Sequence, residues 1–92
     1  MAGVRVGVYS GPSCSYCFRA KRLLRERGVA FEEIDVAADP EQQAAMIQAS
    51  GRRTVPQIFI DGRPIGGYEE LAALDREGAL ASLIEPGTGS SS

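Results

Sequence analysis

The spacing of apolar residues in the first part of the chain predicts a strand followed by a helix. Valines occupy alternate positions between residues 4 and 9, as in a half-buried strand. Residues 11–13 (Gly-Pro-Ser) form a turn, and apolar residues then recur at helical spacing from Cys17 onward. Gly28 is well placed to end this first helix.

The next stretch predicts a second strand and a second helix. Apolar residues within residues 29–36 indicate the strand. Asp39 can act as N-cap for a helix that has Pro40 at its first position. That helix is expected to end near Gly51.

The last part of the chain predicts a hairpin and a third helix. Asp61-Gly62 separates two extended runs, residues 57–60 and 63–65, and this dipeptide strongly favours a tight hairpin turn. Gly66-Gly67 then leads into a helix from Glu69 to about Glu77.

A last turn around Leu80, Leu83 and Ile84 completes the order β-α-β-α-β-β-α. The first crossover makes the first two strands parallel, and the hairpin adds an antiparallel pair. The prediction is an α/β domain with a four-stranded mixed sheet and helices on both faces, the thioredoxin-like fold. We predict one domain over residues 1–85, followed by a flexible Gly/Ser tail over residues 86–92.

Composition and charge narrow the range of functions. With 92 residues and 43% hydrophobic content, the chain suits one small core. Six of its ten basic residues fall within residues 1–28, against Glu26 alone. This basic run is either a solvated helix face or a positive field for an anionic thiol substrate. A pI near 5.0 without interleaved aromatic residues predicts no nucleic-acid partner.

The apolar stretches are too short for a membrane span, and the N-terminus does not have the pattern of a signal peptide. We therefore predict a cytoplasmic protein with no membrane partner. In a reducing cytosol, a close pair of cysteines is expected to be catalytic or metal-binding and not structural.

Cys14-Ser15-Tyr16-Cys17 contains the only two cysteines of a chain that has no histidine. A zinc site would need two further ligands, and a Cys–His nucleophile would need a histidine, so neither is expected. A structural disulfide across so small a loop would contribute only about 2 kcal/mol. The pair therefore predicts thiol–disulfide exchange.

The position of each cysteine predicts its role. Cys14 lies at the start of the first helix, where unpaired N–H groups and the helix dipole favour a thiolate. Cys17 lies one turn inside the helix, where it is sheltered and is expected to keep an ordinary pKa. Cys14 is thus the predicted attacking thiolate and Cys17 the predicted resolving thiol.

Two further motifs are open to more than one interpretation on local grounds. The proline of Thr54-Val55-Pro56 suits the start of a strand. Gly66-Gly67 suits a tight turn, or a backbone site for a carboxylate at the helix start. Glu69 and Glu70 either complement the helix dipole or accept hydrogen bonds from the ammonium group of a ligand.

Taken together, these motifs resemble a glutaredoxin, and the resemblance extends from about Val4 to Ile84. It is closest to the small bacterial dithiol type. The motifs that carry it occur in family order and spacing: Cys14-Ser15-Tyr16-Cys17, residues 53–60 (Arg-Thr-Val-Pro-Gln-Ile-Phe-Ile) and residues 66–70 (Gly-Gly-Tyr-Glu-Glu).

The resemblance implies a glutathione site with a cis peptide bond before Pro56, facing Cys14. The Val55 backbone would pair with an extended glutathione as an added strand does. The glycyl carboxylate would lie near Arg53 and Gln43, and Tyr16 would flank the mixed disulfide. The full implied set of glutathione-binding residues is Tyr16, Gln43, Arg53, Thr54, Val55, Pro56, Gly67, Tyr68, Glu69 and Glu70.

The resemblance also implies a function, with Cys14 and Cys17 as the catalytic residues. A glutathione-dependent thiol–disulfide oxidoreductase would reduce protein disulfides and protein–glutathione mixed disulfides, with glutathione as co-substrate. Cys14 would attack the mixed disulfide, and a second glutathione or Cys17 would resolve the product. A monomer is expected.

Three positions depart from the common family pattern. Ser15 replaces a proline and is expected to alter the redox potential. Gly11 replaces a lysine that commonly anchors glutathione. Glu69 and Glu70 stand where aspartate or serine is usual, and their longer side chains are expected to cap or bind differently.

Two alternative functions follow from these departures and from the fold. Glutaredoxins without that proline sometimes bridge a 2Fe–2S cluster in a homodimer, which would make Cys14 a ligand together with glutathione. The other alternative is a redoxin of the same fold that is reduced by a flavoenzyme, thioredoxin reductase.

Overall fold

The structure confirms the predicted order of elements and adds one short helix. It is a computed structural model that describes residues 4–84. The strands are β1 (Val6–Ser10), β2 (Glu32–Asp35), β3 (Gln57–Ile60) and β4 (Arg63–Gly66). The helices are α1 (Ser15–Glu26), α2 (Pro40–Ser50), α3 (Tyr68–Arg76) and α4 (Ala79–Ile84). The predicted last turn is thus the helix α4, while the predicted tail, residues 86–92, lies outside the described residues.

The ends of α2 are set by the residues that the sequence singled out. The Asp39 carboxylate accepts a hydrogen bond from the Gln42 N–H at 3.2 Å, and Pro40 is the first helical residue. At the other end, Gly51 has a φ of 76° and donates its N–H to the Ile47 carbonyl. Glycine adopts this left-handed conformation without steric cost, so the predicted end of α2 is confirmed.

The four strands form one mixed sheet in the order β2-β1-β3-β4. β1 is parallel to β2 and antiparallel to β3, and β3 is antiparallel to β4. The β3–β4 turn has positive φ at both central residues, 55° at Asp61 and 85° at Gly62. These are the signs that a type I′ hairpin turn requires, which is why Asp-Gly predicted it.

Helices cover both faces of the sheet, as predicted, but unequally. On one face, α1, α3 and α4 pack against β1 and β3 in the main core, whose fully buried members include Val8, Leu24, Ile58 and Leu71. On the other face, Met46 is the buried residue of α2 and packs in a smaller cluster with Val36 and Phe59. Adjacent residues of β3 serve opposite cores because side chains alternate across a sheet.

The antiparallel pairing of β1 and β3 brings two distant loops together. Tyr9, near the end of β1, pairs with Gln57, at the start of β3. The loop that follows β1 carries Cys14, and the loop that precedes β3 carries Val55 and Pro56. Both loops therefore meet at the same end of the sheet.

No helix within residues 4–84 is both long and apolar enough to cross a bilayer.

An ion pair joins the end of α1 to α3 and should make stability depend on pH. Arg27 donates two hydrogen bonds to the Asp75 carboxylate, at 2.7 and 2.8 Å, and so holds the pKa of Asp75 below its usual value. A carboxyl whose pKa is lower in the folded state stabilises the fold above its unfolded pKa of about 3.9. That stabilisation is lost as the pH falls through the lowered folded pKa.

We therefore expect Asp75→Asn to lower the free energy of unfolding at pH 7 and to approach the wild type in strong acid, below the lowered folded pKa of Asp75. Urea denaturation at both pH values measures this. Glu26→Gln, which removes a carboxylate from the exposed pair with Arg22, controls for the loss of one charge. A gap between wild type and Asp75→Asn that stays constant with pH would show that Asp75 acts through packing instead.

Candidate active site

Cys14 is the N-cap of α1, as its predicted role requires. Its backbone is extended, with φ −103° and ψ 107°, and its sulfur accepts a hydrogen bond from the Cys17 N–H at 3.1 Å. Ser13, just before it, turns the chain with a φ of 59°. An acceptor sulfur at a helix N-terminus is placed to carry negative charge, because the unpaired N–H groups and the dipole favour an anion there.

The pKa of Cys17 departs further from its ordinary value than the sequence predicted. Cys17 lies on the buried side of α1 and is 1% exposed, whereas Cys14 is only half-buried. Burial, with a further contribution from the hydrogen bond to Cys14, raises the pKa of the Cys17 thiol to about 12. The prediction of an ordinary pKa for Cys17 is therefore wrong, since periodicity indicated a sheltered thiol but not how completely it is desolvated.

The loop before β3 faces Cys14. The Val55–Pro56 peptide bond is cis, which confirms the expectation from the resemblance. The Cys14 sulfur lies 3.7 Å from the Val55 carbonyl oxygen, although the two residues are 41 positions apart in the chain. The two loops thus place a main-chain hydrogen-bonding group directly beside the accessible thiol.

A groove of about 270 Å³ lies between these loops and the start of α3. It brings together eight of the ten residues predicted to bind glutathione. Gln43 and Arg53 are not among the residues that line it, whereas Arg52 is. The lining residues are Tyr16, Arg52, Thr54, Val55, Pro56, Gln57, Gly67, Tyr68, Glu69 and Glu70.

Two aromatic rings border the groove, Tyr16 from α1 and Tyr68 from the start of α3. The rings of Tyr16 and Tyr68 are 6.1 Å apart, and Tyr16 is 50% exposed. The Arg19 guanidinium lies 5.4 Å from the centre of the Tyr16 ring, a cation–π distance. Tyr16 therefore combines an exposed ring with a place in the groove lining, and its contact with a mixed disulfide on Cys14 stays a prediction.

Glu70 satisfies the start of its own helix. Its carboxylate accepts a hydrogen bond from the Gly67 N–H at 2.8 Å, and this bond is the main reason that its pKa is lowered. Its other oxygen lies 3.6 Å from an Arg52 nitrogen. Glu70 therefore acts at the start of its own helix, and its contact with the ammonium group of a ligand stays a prediction.

The loop before α3 runs close to Pro56, where a side chain at Gly67 would be tight. A Cβ at Gly67 would lie 3.3 Å from the Pro56 carbonyl oxygen. Gly66 has a φ of 123°, and a Cβ there would meet the Glu70 side chain at 2.8 Å. The two glycines therefore allow the backbone itself to form one wall of the groove.

Comparison with known proteins gives a consistent result. The sequence profile described as Glutaredoxin matches residues 6–65. Glutaredoxin 3 of Escherichia coli strain K12 is 46% identical over 80 residues, which cover 87% of this chain and 96% of that relative. The chain belongs to the glutaredoxin family.

Solved structures of glutaredoxins share the fold. The solution structure of glutaredoxin from Brucella melitensis superposes with a TM-score of 0.81 at 48% identity, over 96% of each chain. Buckwheat glutaredoxin, solved as a complex with glutathione, gives a TM-score of 0.81 at 33% identity, over 88% of this chain and 76% of its own. The thioredoxin-like fold is therefore confirmed.

This glutaredoxin keeps the Cys14–Cys17 dithiol on which the family's chemistry depends. It is a glutathione-dependent thiol–disulfide oxidoreductase. Ser15 is the first residue of α1 and is exposed, a position that also accepts proline. Its effect on the redox potential stays a prediction.

Sequence reasoning missed Arg52 as a residue of the groove. The sequence shows an Arg52-Arg53 pair in a loop, where no periodicity tells which side chain points toward the site. Arg52 is the arginine that reaches the groove, where it pairs with Glu70. Glu70 belongs to α3, a separate element, so the local sequence does not reveal this pair. Two adjacent arginines before the Thr-Val-Pro motif were the available signal.

Proposed function

We propose that this glutaredoxin reduces protein disulfides and protein–glutathione mixed disulfides, with Cys14 as the nucleophile and Cys17 as the resolving thiol. The observation that carries this assignment is the difference between the two sulfurs. Cys14 is accessible and accepts the Cys17 N–H, whereas Cys17 is buried and has a raised pKa. Only the thiolate attacks disulfides, so Cys14 reacts first.

Each step exchanges one sulfur–sulfur bond for another. The Cys14 thiolate attacks a substrate disulfide, forms a mixed disulfide and releases one substrate thiolate. Where the mixed disulfide joins Cys14 to glutathione, a second glutathione thiolate attacks the glutathione sulfur, forms glutathione disulfide and releases Cys14 as a thiolate. On the other route Cys17, after losing its proton, attacks the Cys14 sulfur and displaces the rest of the substrate as a thiolate. If Cys17 attacks, two glutathione molecules reduce the resulting Cys14–Cys17 disulfide and leave as glutathione disulfide.

The groove beside Cys14 is the proposed site for glutathione. Thr54, Val55 and Pro56 form one wall, and Gly67 and Tyr68 form the other. The complex of buckwheat glutaredoxin with glutathione supports this choice of ligand. The predicted contacts Gln43 and Arg53 both lie outside the groove lining. The contact with Gln43 stays a prediction, whereas Arg52 is better placed than Arg53.

We assign the carboxylate-binding role to Arg52 and not to Arg53. Arg52 lines the groove and is half-exposed, with its guanidinium near Glu70. Arg52→Gln is expected to raise KM for glutathione roughly fivefold with little change in kcat, the effect of losing one partly exposed ionic contact.

Steady-state kinetics with varied glutathione test this, and Arg53→Gln is the matched control because it removes the neighbouring cation. A larger rise of KM in Arg53→Gln than in Arg52→Gln would return the role to Arg53.

Cluster binding has less support from the residues present. A 2Fe–2S cluster takes four protein or glutathione sulfurs, and one chain has a single accessible thiol in Cys14. Among residues 4–84, no three metal-ligating side chains lie together. A cluster would need ligands from glutathione and a second copy, and anaerobic purification with glutathione would then yield a brown dimer. We assign no step to it.

We further propose a monomer that works in the cytoplasm on glutathione and on disulfide-containing or glutathionylated proteins. Both cysteines are free thiols here and must return to thiols after each cycle, and a reducing compartment such as the cytoplasm favours that state.

The decisive assay uses the mixed disulfide of glutathione and hydroxyethanethiol, with glutathione, glutathione reductase and NADPH. Turnover is expected. Absence of turnover, together with reduction by a thioredoxin reductase, would favour the flavoenzyme-dependent redoxin instead.

A further inference from the structure

A second cavity lies beside the two cysteines and shares no residue with the glutathione groove. Its volume is about 520 Å³, and both Cys14 and Cys17 line it. The first half of α1 and the C-terminal parts of β1 and β2 contribute other walls, which include Ser10, Lys21 and Glu33. The resolving thiol is thus bordered by polar groups that the proposed glutathione contacts do not use.

Lys21 is held in a fixed position within this cavity. It lies four residues after Cys17 and therefore on the same face of α1. Its ammonium donates a hydrogen bond to the Glu33 carboxylate at 2.6 Å, and the Ser10 hydroxyl donates to the same oxygen at 2.8 Å. Ser10 is 2% exposed, and the Lys21 side chain is 19% exposed. The ammonium is therefore anchored by Glu33 on β2, and Ser10 on β1 in turn holds the Glu33 carboxylate in place.

Lys21 differs in the sign of its charge from the other titratable groups around Cys17. The titratable or charged groups that share the cavity with it are Cys14 and Lys21 on the α1 side and Glu33 and Asp35 on β2. Lys21 is the one cation among the residues that line the cavity. Burial raises the pKa of Cys17, while the hydrogen bond with the Gly11 backbone and, to a smaller extent, the charge of Lys21 act to lower it. Lys21 and Ser10 also hold the pKa of Glu33 below its usual range, which keeps the carboxylate charged as an anchor.

We propose that Lys21 is a positioning residue for the resolving step, in which its ammonium, anchored by Glu33 and Ser10, stabilises the thiolate of Cys17. The proposal rests on the roles assigned above to the two cysteines. In this step the Cys17 thiol gives its proton to a solvent base through the open cavity. Its sulfur then bonds to the Cys14 sulfur, and the bond between Cys14 and the substrate sulfur breaks. The substrate leaves as a thiolate, and the two cysteines have lost two electrons to its disulfide.

The two steps can be timed separately with dithiobis(nitrobenzoate), whose thiolate product absorbs visible light. With one equivalent of reagent, the first release reports attack by Cys14 and depends on reagent concentration. The second release reports attack by Cys17 and does not depend on it. Lys21→Met is expected to slow the second release roughly tenfold at neutral pH and to shift its pH dependence upward. The first release should change by less than about twofold.

Two variants serve as controls. Lys21→Arg keeps the positive charge and should retain most of the second-release rate. Arg22→Met removes the next cation of α1, which is exposed and paired with Glu26, and should leave both releases unchanged. If Lys21→Met does not fold, Lys21→Gln, which removes the charge but keeps a polar side chain beside Glu33, should slow the second release to a similar degree.

Several results would overturn the inference. These are equal slowing of both releases in Lys21→Met, slowing without a shift in pH dependence, or an Arg22→Met effect as large as that of Lys21→Met. If Lys21→Met does not fold, an unchanged second release in Lys21→Gln would do the same. A wild-type protein with no second release would instead refute the role of Cys17 itself, so the two failures are distinguishable.

Discussion

Cys14→Ser is expected to lose all thiol–disulfide activity, to below roughly one thousandth of the wild type. Cys14 is the accessible sulfur at the N-terminus of α1 and beside the groove. The remaining sulfur, Cys17, is buried and has a pKa of about 12, so almost none of it is thiolate at neutral pH. A serine hydroxyl does not replace a thiolate in an exchange between sulfur atoms.

The loss should appear with both kinds of substrate, the glutathione mixed disulfide and a protein disulfide. Thermal unfolding of Cys14→Ser establishes that the variant is folded. Substantial activity in a folded Cys14→Ser protein would mean that Cys17 can act as a nucleophile, which its burial argues against.

Cys17→Ser is expected to separate the two activities. Removal of glutathione from proteins needs one thiol, because a second glutathione resolves the mixed disulfide on Cys14. That activity should stay within about threefold of the wild type, whereas reduction of protein disulfides should fall at least roughly a hundredfold. Mass spectrometry should show one glutathione attached to the variant during turnover.

The paired variants also test the assignment of roles. Equal loss of both activities in Cys14→Ser and Cys17→Ser would mean that the cysteines act only as a pair. Greater loss in Cys17→Ser would reverse nucleophile and resolving thiol.

The fold was predictable because its signals are local. Valines at alternate positions indicated β1, Asp39 with Pro40 indicated the start of α2, and Asp61-Gly62 indicated the hairpin. Each signal reflects contacts within one element or one turn. For the short helix α4 the sequence predicts only a turn, because six residues are too few to show a helical period.

The site was only partly predictable because its walls come from separate segments. The dithiol, Thr54-Val55-Pro56 and the paired glycines were visible as motifs, and the structure brings them together. The choice of Arg52 over Arg53 depends on α3, and the anchor of Lys21 depends on Ser10 and Glu33 from two neighbouring strands. Such contacts follow from strand order and helix packing, which no single stretch of sequence reports.

The pairing of β1 with β3 makes enzymatic activity a measure of whole-domain folding. Cys14 and the Val55 carbonyl are 41 residues apart and meet only when the central strands have formed their antiparallel ladder. A chain in which that ladder is open has two thiols but no groove beside them. Recovery of turnover after dilution from urea should therefore follow recovery of the native sheet and should not follow helix formation. Activity then measures the fraction of molecules in which the β1–β3 ladder has formed.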